Sequence, residues 1–364
     1  MPQRDVNRAG TAPALVAVSL FAACGAAVAI AASQAAPDTG EHAVIAPLAV
    51  RSLLLDGVSL DGFKVAVGER GHVLLSDDNG DSWRQVSVPA TATLTGVYFA
   101  DRQHGWAVGH DAVILRTVDG GDSWQRVHYA PHEERPLLDL WFGDARAGYA
   151  VGAYSYLLAT ADGGESWEER TFEAEPWPTD DKAAKTGDTG AYDPGLDVHF
   201  NDIEATGSGR LYIAAEAGRI FRSDDRGATW RSMPSPYAGS FFGVLPLDGD
   251  SVLVFGLRGH LYRSDDGAVS WRRIEVGTEA MLTDGFRLTD GRVVLTGLAG
   301  TLLVSRDGAR SFELLQLPDR QGIATALAKD QDTLLLIGEH GLEEFTLPRR
   351  FAPGVASRVS RRAR

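Results

Sequence analysis

Short runs of β-branched, aliphatic and aromatic residues, each ended by Gly, Asp, Asn or Ser, dominate the chain after its first 36 residues. One stretch reads as four such runs: "LTGVYFA" (94–100), "GWAVG" (105–109), "AVILRT" (112–117) and "SWQRVHY" (123–129). This is the pattern of four short strands joined by turns. The unit then repeats. Trp83, Trp124, Trp167, Trp230 and Trp271, followed by Phe312, are spaced 41, 43, 63, 41 and 41 residues apart. A repeat of about 40 to 45 residues built from short strands predicts β-propeller blades.

A second marker keeps the same register. Gly68, Gly109, Gly152, Ala215, Gly256 and Gly297 each lie eight residues before the Ser or Thr that opens a polar turn. Gly338 continues the series without such a turn. The expectation is therefore an all-β, seven-bladed propeller over residues 42–348, with four-stranded blades and a last blade that lacks its outer strand. "HAVIAPLA" (42–49) is strand-like and has no blade of its own. It is expected to close the last blade and so remove an exposed sheet edge.

The first 36 residues differ in kind. Arg4 and Arg8 precede an apolar run from Thr11 to Ala32 and then "SQAAP". This order predicts a secretory signal peptide, with an uncleaved anchor as the alternative. The only cysteine, Cys24, lies in that run, so the mature part forms no intramolecular disulfide and is held by packing. Residues 37–348 carry 27 basic against 48 acidic residues, a net charge of −21, which argues against nucleic-acid binding. The tail, 349–364, holds six arginines and no acid; it is solvated or touches anionic lipid.

The polar turns follow Ser/Thr-x-Asp-x-Gly-x-x-Trp. Asp78 with Trp83, Asp119 with Trp124, Asp162 with Trp167, Asp225 with Trp230 and Asp266 with Trp271 fill the pattern, although Ala268 and Ala309 replace its glycine. The Asp accepts turn N–H groups, the Gly takes a positive φ, and the Trp packs between blades. One carboxylate per turn is too few for calcium, so these turns are read as structural, with no metal and no cofactor.

This pattern is the Asp box, or bacterial neuraminidase repeat. With "GWAVG...ILRTVDGGDSW" and "GYAVG...LLATADGGESW" the chain resembles the photosystem II stability and assembly factor family over nearly the whole mature chain. The resemblance implies a non-catalytic, monomeric propeller that is exported to the periplasm or the outer side of the inner membrane. Such a propeller docks, peripherally to the membrane, on a membrane protein or a subunit of an envelope or photosynthetic complex. It also implies an arginine patch, for which Arg219, Arg222 and Arg263 are the candidates, with Arg226, Arg231, Arg272 and Arg273 nearby. The alternative is a glycan-binding or glycoside-hydrolysing Asp-box propeller, which needs two carboxylates across a cleft.

Strand polarity places the Asp boxes on one face and the inter-blade loops on the other. That second face is where function is expected. It is to hold the insertion 172–199, with Trp177, Tyr192 and His199. It is also to hold one position per innermost strand, filled by Asp56, Thr95, Asp139, Asp202, Phe242, Asp284 and Thr325. Glu69, His110, Glu216 and Glu339 follow the second strands on the same side. Converging acids there suit a cation or a basic partner segment.

Overall fold

The computed structural model describes residues 40–178 and 197–348. The leader, the middle of the insertion with Tyr192, and the basic tail lie outside the described residues. Seven sheets, antiparallel but for one added strand in the fourth, follow one another along the chain with these innermost strands: Leu54–Leu60, Leu94–Phe99, Leu137–Phe142, Phe200–Ala205, Phe241–Pro246, Leu282–Arg287 and Ile323–Ala328. Each innermost strand touches the next and the last touches the first, so the blades close into a ring. The chain is a seven-bladed β-propeller. Among the described residues no helix is long and apolar enough to cross a membrane.

The glycine marker has a spacing reason. A Cβ at Gly68 would stand 2.2 Å from the Leu53 carbonyl oxygen, and one at Gly109 would stand 2.1 Å from that of Thr93. At these positions the second strand turns against the loop that enters its own blade. The next residue seals the contact: Glu69 N–H donates to Leu53 O at 3.0 Å and His110 N–H to Thr93 O at 2.9 Å. Opposite each marker the innermost strand carries an extra residue, and the register shifts between Leu54 and Asp56, Leu94 and Gly96, and Leu282 and Asp284. Such a bulge re-aims the side chain that follows it.

The Asp boxes share one bonding scheme. The Thr117 hydroxyl donates to Asp119 Oδ1 at 2.8 Å and accepts the Gly121 N–H at 2.9 Å. Asp119 then accepts the Ser123 N–H at 2.9 Å and its hydroxyl at 2.5 Å. The same bonds form around Asp78, Asp162, Asp225, Asp266 and Asp307. Ala268 and Ala309 hold the left-handed backbone, φ 72° and 62°, where the other turns use glycine. Trp124, Trp167 and Trp230 are buried between blades, with Phe99 edge-on to Trp124 at 6.0 Å and Phe142 edge-on to Trp167 at 5.8 Å.

Two expectations about the edges are corrected. Residues 42–49 do not pair with the last blade. Ala43 N–H donates to Val88 O at 2.9 Å, and the Gln85 side chain bonds Ala46 N–H and Val44 O at 2.7 and 2.9 Å, so this segment lies along the outer strand of blade one. The last sheet has three strands among the described residues, ending at Gly341–Thr346. The seam closes by packing: Ala49, Leu54, Leu74, Leu335 and Ile337 form one buried cluster with Trp83 and Leu342 against it. The segment follows blade one because Gln85 and Ser87 offer it polar partners, whereas Glu343 and Glu344 leave the last strand polar and exposed.

The insertion also begins elsewhere than expected. Ala174–Pro176 pairs in parallel with Trp230–Ser232, making blade four five-stranded. Phe172 packs its ring on Phe200 and Phe221 at 4.6 and 4.9 Å, which draws the start of the insertion onto the flank of blade four.

Two outcomes are expected. Asp119→Ala removes the acceptor for three donors and lowers stability by about 2 kcal/mol, read as a lower urea midpoint at unchanged slope. Deleting residues 40–46 lowers the melting temperature and opens the outer strand of blade one to hydrogen exchange, because Ala43 is buried there.

Candidate functional site

The innermost strands enclose a central channel of about 350 Å³, lined by Asp56, Asp139, Asp202, Glu204 and Asp284 together with Tyr98, Trp141 and Phe286. The bulges bring the carboxylates here. By register, Asp56, Asp139, Asp202 and Asp284 are equivalent, opposite Val67, Val151, Ala214 and Thr296. Gly96, Gly243 and Thr325 fill the position in the other blades. Thr95 and Phe242, expected in this set, sit one residue earlier, on the bulge itself. The sequence did not reveal which residue each strand would set aside as extra.

Each of the four aspartates reaches into the next blade. Asp56 accepts the Val97 N–H at 2.7 Å, Asp139 the Ile203 N–H at 2.8 Å, and Asp202 the Val244 N–H at 2.6 Å. The Thr325 hydroxyl donates to Asp284. Bulge residues complete the circuit in the other sense. Thr95, Asn201 and Thr283 donate to the carbonyls of Leu137, Phe241 and Ile323 at 2.8, 2.7 and 2.7 Å. The acidic ring is thus a set of stitches between blades. Among the described residues no group of three or more His, Cys, Asp or Glu is placed to hold a metal ion.

These carboxyls are hard to ionise. Burial pushes Asp56 well above the carboxylate range, and Asp139 and Asp284 add to the shift. Burial also raises Asp139 and, more strongly, Asp202, and the two carboxyls are hydrogen-bonded to each other. The two therefore take up and release protons as a pair, above the ordinary carboxylate range. Asp284 is pushed up to about 6, chiefly by burial. Glu204 is pushed up to about 8 by burial, with Asp139 and Asp284 adding to the shift. Its side chain is exposed, but what it faces is the channel between the blades, where the other carboxyls converge. Glu204 was missed in the sequence although strand period alone points to it: two residues after Asp202, it shares that residue's face.

The other candidates also have structural partners. Glu69, Glu216 and Glu339 accept the N–H groups of Leu53, His199 and Gly322 at 3.3, 3.2 and 2.8 Å, each closing the loop into its own blade. His110 occupies the equivalent turn of blade two. His199 stands 3.7 Å from Glu216 and edge-on to Tyr154 at 4.9 Å. Trp177, expected on this face, instead lies on the flank of blade four, where its N–H donates to Ser232 O at 2.9 Å and its ring faces Arg222 and Arg231.

The leading arginine candidates, Arg219, Arg222 and Arg263, are engaged within the fold, while Arg226, Arg231, Arg272 and Arg273 are exposed. Arg222 donates to Gly267 O at 2.8 Å and Arg263 to Gly308 O at 2.6 Å, and their other nitrogens are held by Asp224 and Asp265. Both are nearly buried, and Arg219 is buried as well. Arg116 makes the equivalent bond to Gly163 O at 2.7 Å. Each of these three precedes its own box by one residue and grips the box of the next blade. Arginine serves there because a planar, always-charged donor spans the gap and keeps its charge paired.

Comparison with known proteins agrees with this architecture. Residues 75–137 and 128–294 match the family model of the photosynthesis system II assembly factor YCF48. The chain belongs to this family. Two solved structures bearing the YCF48 name share its fold. One, YCF48 bound to D1 peptide, is 17% identical, with a TM-score of 0.61 and coverage of 85% of this chain and 94% of that one. The other, YCF48 from Cyanidioschyzon merolae, is 15% identical, with a TM-score of 0.63 and coverage of 85% and 99%. The WD40 propeller of Doa1 is about as similar in shape, with a TM-score of 0.60, 15% identity and coverage of 82% and 94%. No curated protein matches in sequence.

The channel acids and the box acids pull stability in opposite directions with pH. Glu204 is raised in the fold, so its contribution is complete below its unfolded value of about 4.5 and is lost as pH rises through about 8. Asp284 behaves alike up to about 6. Asp78 is held down to about 2 by its bonds to Ser82 and Ser76, so its contribution is present above pH 3.8 and lost as pH falls toward 2. Thermal stability is expected to peak in mildly acidic buffer. In Glu204→Gln the decline between pH 5 and 8 becomes shallower, as read from melting temperatures over this range.

Proposed function

We propose that the protein is an exported, non-catalytic docking factor that assists the assembly or stability of a membrane protein complex, as photosystem II assembly factors do. Membership of the YCF48 family is the observation that carries this reading. A solved structure of the same fold is described as YCF48 bound to D1 peptide, which supports a protein partner here. The sequence-level leader supports export, and the acidic body supports a partner segment with basic character.

The enzymatic alternative has a natural place in the channel, at Asp139 and Asp202, and the geometry there disfavours it. A glycosidase separates its two carboxyls by roughly 5 to 10 Å to admit the sugar. These two bond each other and also accept N–H groups from neighbouring blades. Purified mature protein carrying an affinity tag, incubated with solubilised membranes of its own organism, is expected to retain a defined integral membrane protein. A glycan-array and turnover screen on the same preparation is expected to give no hydrolysis; measurable turnover abolished by Asp202→Asn would overturn the reading.

A further inference from the structure

Six of the seven sheets end in a fourth or fifth strand, and the seventh ends at Gly341–Thr346. The orientation of that strand is fixed. Gly338 pairs with Gly341 across the two-residue turn Glu339–His340, and Leu347 N–H donates to Asp332 O at 2.7 Å. In an antiparallel ladder the groups that bond inward alternate with those that do not. Gly341, Glu343 and Phe345 therefore face the neighbouring strand with their N–H and C=O groups. Leu342, Glu344 and Thr346 turn theirs outward, and nothing among the described residues pairs with them.

Two other edges of this propeller are covered. Ala174–Pro176 adds itself to blade four as a further strand, and the segment from Ala43 to Ala46 lies on blade one. The chain that follows reaches the start of the last strand, since a Cβ at Gly341 would meet Val50 O at 2.0 Å, and Ala46 and Leu342 pack against one cluster. Apolar side chains of residues 44–48 point away from the fold: Val44, Ile45 and Leu48 are 77%, 56% and 63% exposed. They are three of the six large apolar residues that the described chain leaves exposed. At the edge itself Glu343 and Glu344 are exposed, and Lys329 is shared between Glu344 and Asp81. Lys329, with Arg51 beside Gly341 at the start of the strand, stands against three carboxylates, so the edge keeps a negative excess.

We propose that the outer edge of Gly341–Thr346 is the docking site for an extended partner segment, which adds to blade seven as its fourth strand. Main-chain bonds to Leu342, Glu344 and Thr346 supply affinity, as in other strand-addition complexes. The apolar ridge at 44–48 and the acidic rim select a segment that carries apolar and basic side chains. This inference rests on the docking function proposed above and names the surface that performs it.

The probe is a seven-residue peptide alternating valine with arginine or threonine, compared with the same peptide N-methylated at alternate residues. Methylation keeps charge and apolar surface but removes strand pairing. The full chain is expected to bind the plain peptide and to gain hydrogen-exchange protection at Leu342, Glu344 and Thr346. The methylated peptide and a Glu344→Pro variant are each expected to bind at least ten-fold more weakly. Glu344→Pro removes an outward N–H and no ladder bond; its fold is checked by its melting curve, and Glu343→Gln, with weaker, less salt-dependent binding, serves if it unfolds. Equal binding of both peptides overturns the proposal. So does protection of this strand without peptide that vanishes when residues 349–364 are removed, which makes the chain's own tail the occupant. If wild type and Glu344→Pro retain the same membrane protein equally, the edge assignment fails and the docking function stands.

Discussion

The ring holds because side chains of one blade bond the backbone of the next. Within each sheet the strands pair only with one another, and sheets packed only by apolar faces would be free to slide, since burial is not directional. The bonds between blades remove that freedom. On one side of the ring the aspartates at 56, 139 and 202 accept N–H groups from the following inner strand, while Thr95, Asn201 and Thr283 donate to its first carbonyl. On the Asp-box side, Arg116, Arg222 and Arg263 donate to a carbonyl of the next box. Blade five has Phe242 and Gly243 where its neighbours have bonding side chains, and it is tied by its arginine instead.

Drawing so many carboxyls into the channel has an electrostatic consequence. Five acids around one channel cannot all ionise cheaply, and the raised titration of Asp139 and Asp202 is the result. The same residues that fix the blades thereby make the fold sensitive to pH. The Asp boxes on the opposite face act in the reverse sense, because their carboxylates are surrounded by donors and stay ionised. One residue type thus has opposite acid–base behaviour at the two ends of the ring, set by whether it meets N–H and O–H donors in water or other carboxyls out of it.

This arrangement leaves the inner surfaces occupied by structural bonds, so a partner is met at the rim and flank. The flank is where the protein departs from its own repeat. Blade four carries an extra parallel strand, blade one is overlain by the segment from Ala43 to Ala46, and blade seven has three strands among the described residues. Departures from an otherwise regular repeat are where selection for something other than folding is most visible.

Blade number and strand order were legible in the sequence because they are written in local chemistry. The tryptophan spacing, the glycine required by a close backbone approach and the Ser/Thr-x-Asp turn each act within a few residues of themselves. Glu204 was legible too, by strand period, although it was overlooked. The roles of the polar side chains were not, because their partners lie in the neighbouring blade, about 40 residues away: Asp56 with Val97, Arg222 with Gly267, Arg263 with Gly308. Nothing near Arg222 in the sequence says whether it is a free patch or a clasp. The same holds for residues 42–49, whose alternation announced a strand-like segment but not which edge it would cover. Only the assembled ring, with Gln85 and Ser87 offering bonds on one side of the seam and Glu343 and Glu344 exposed on the other, decided that.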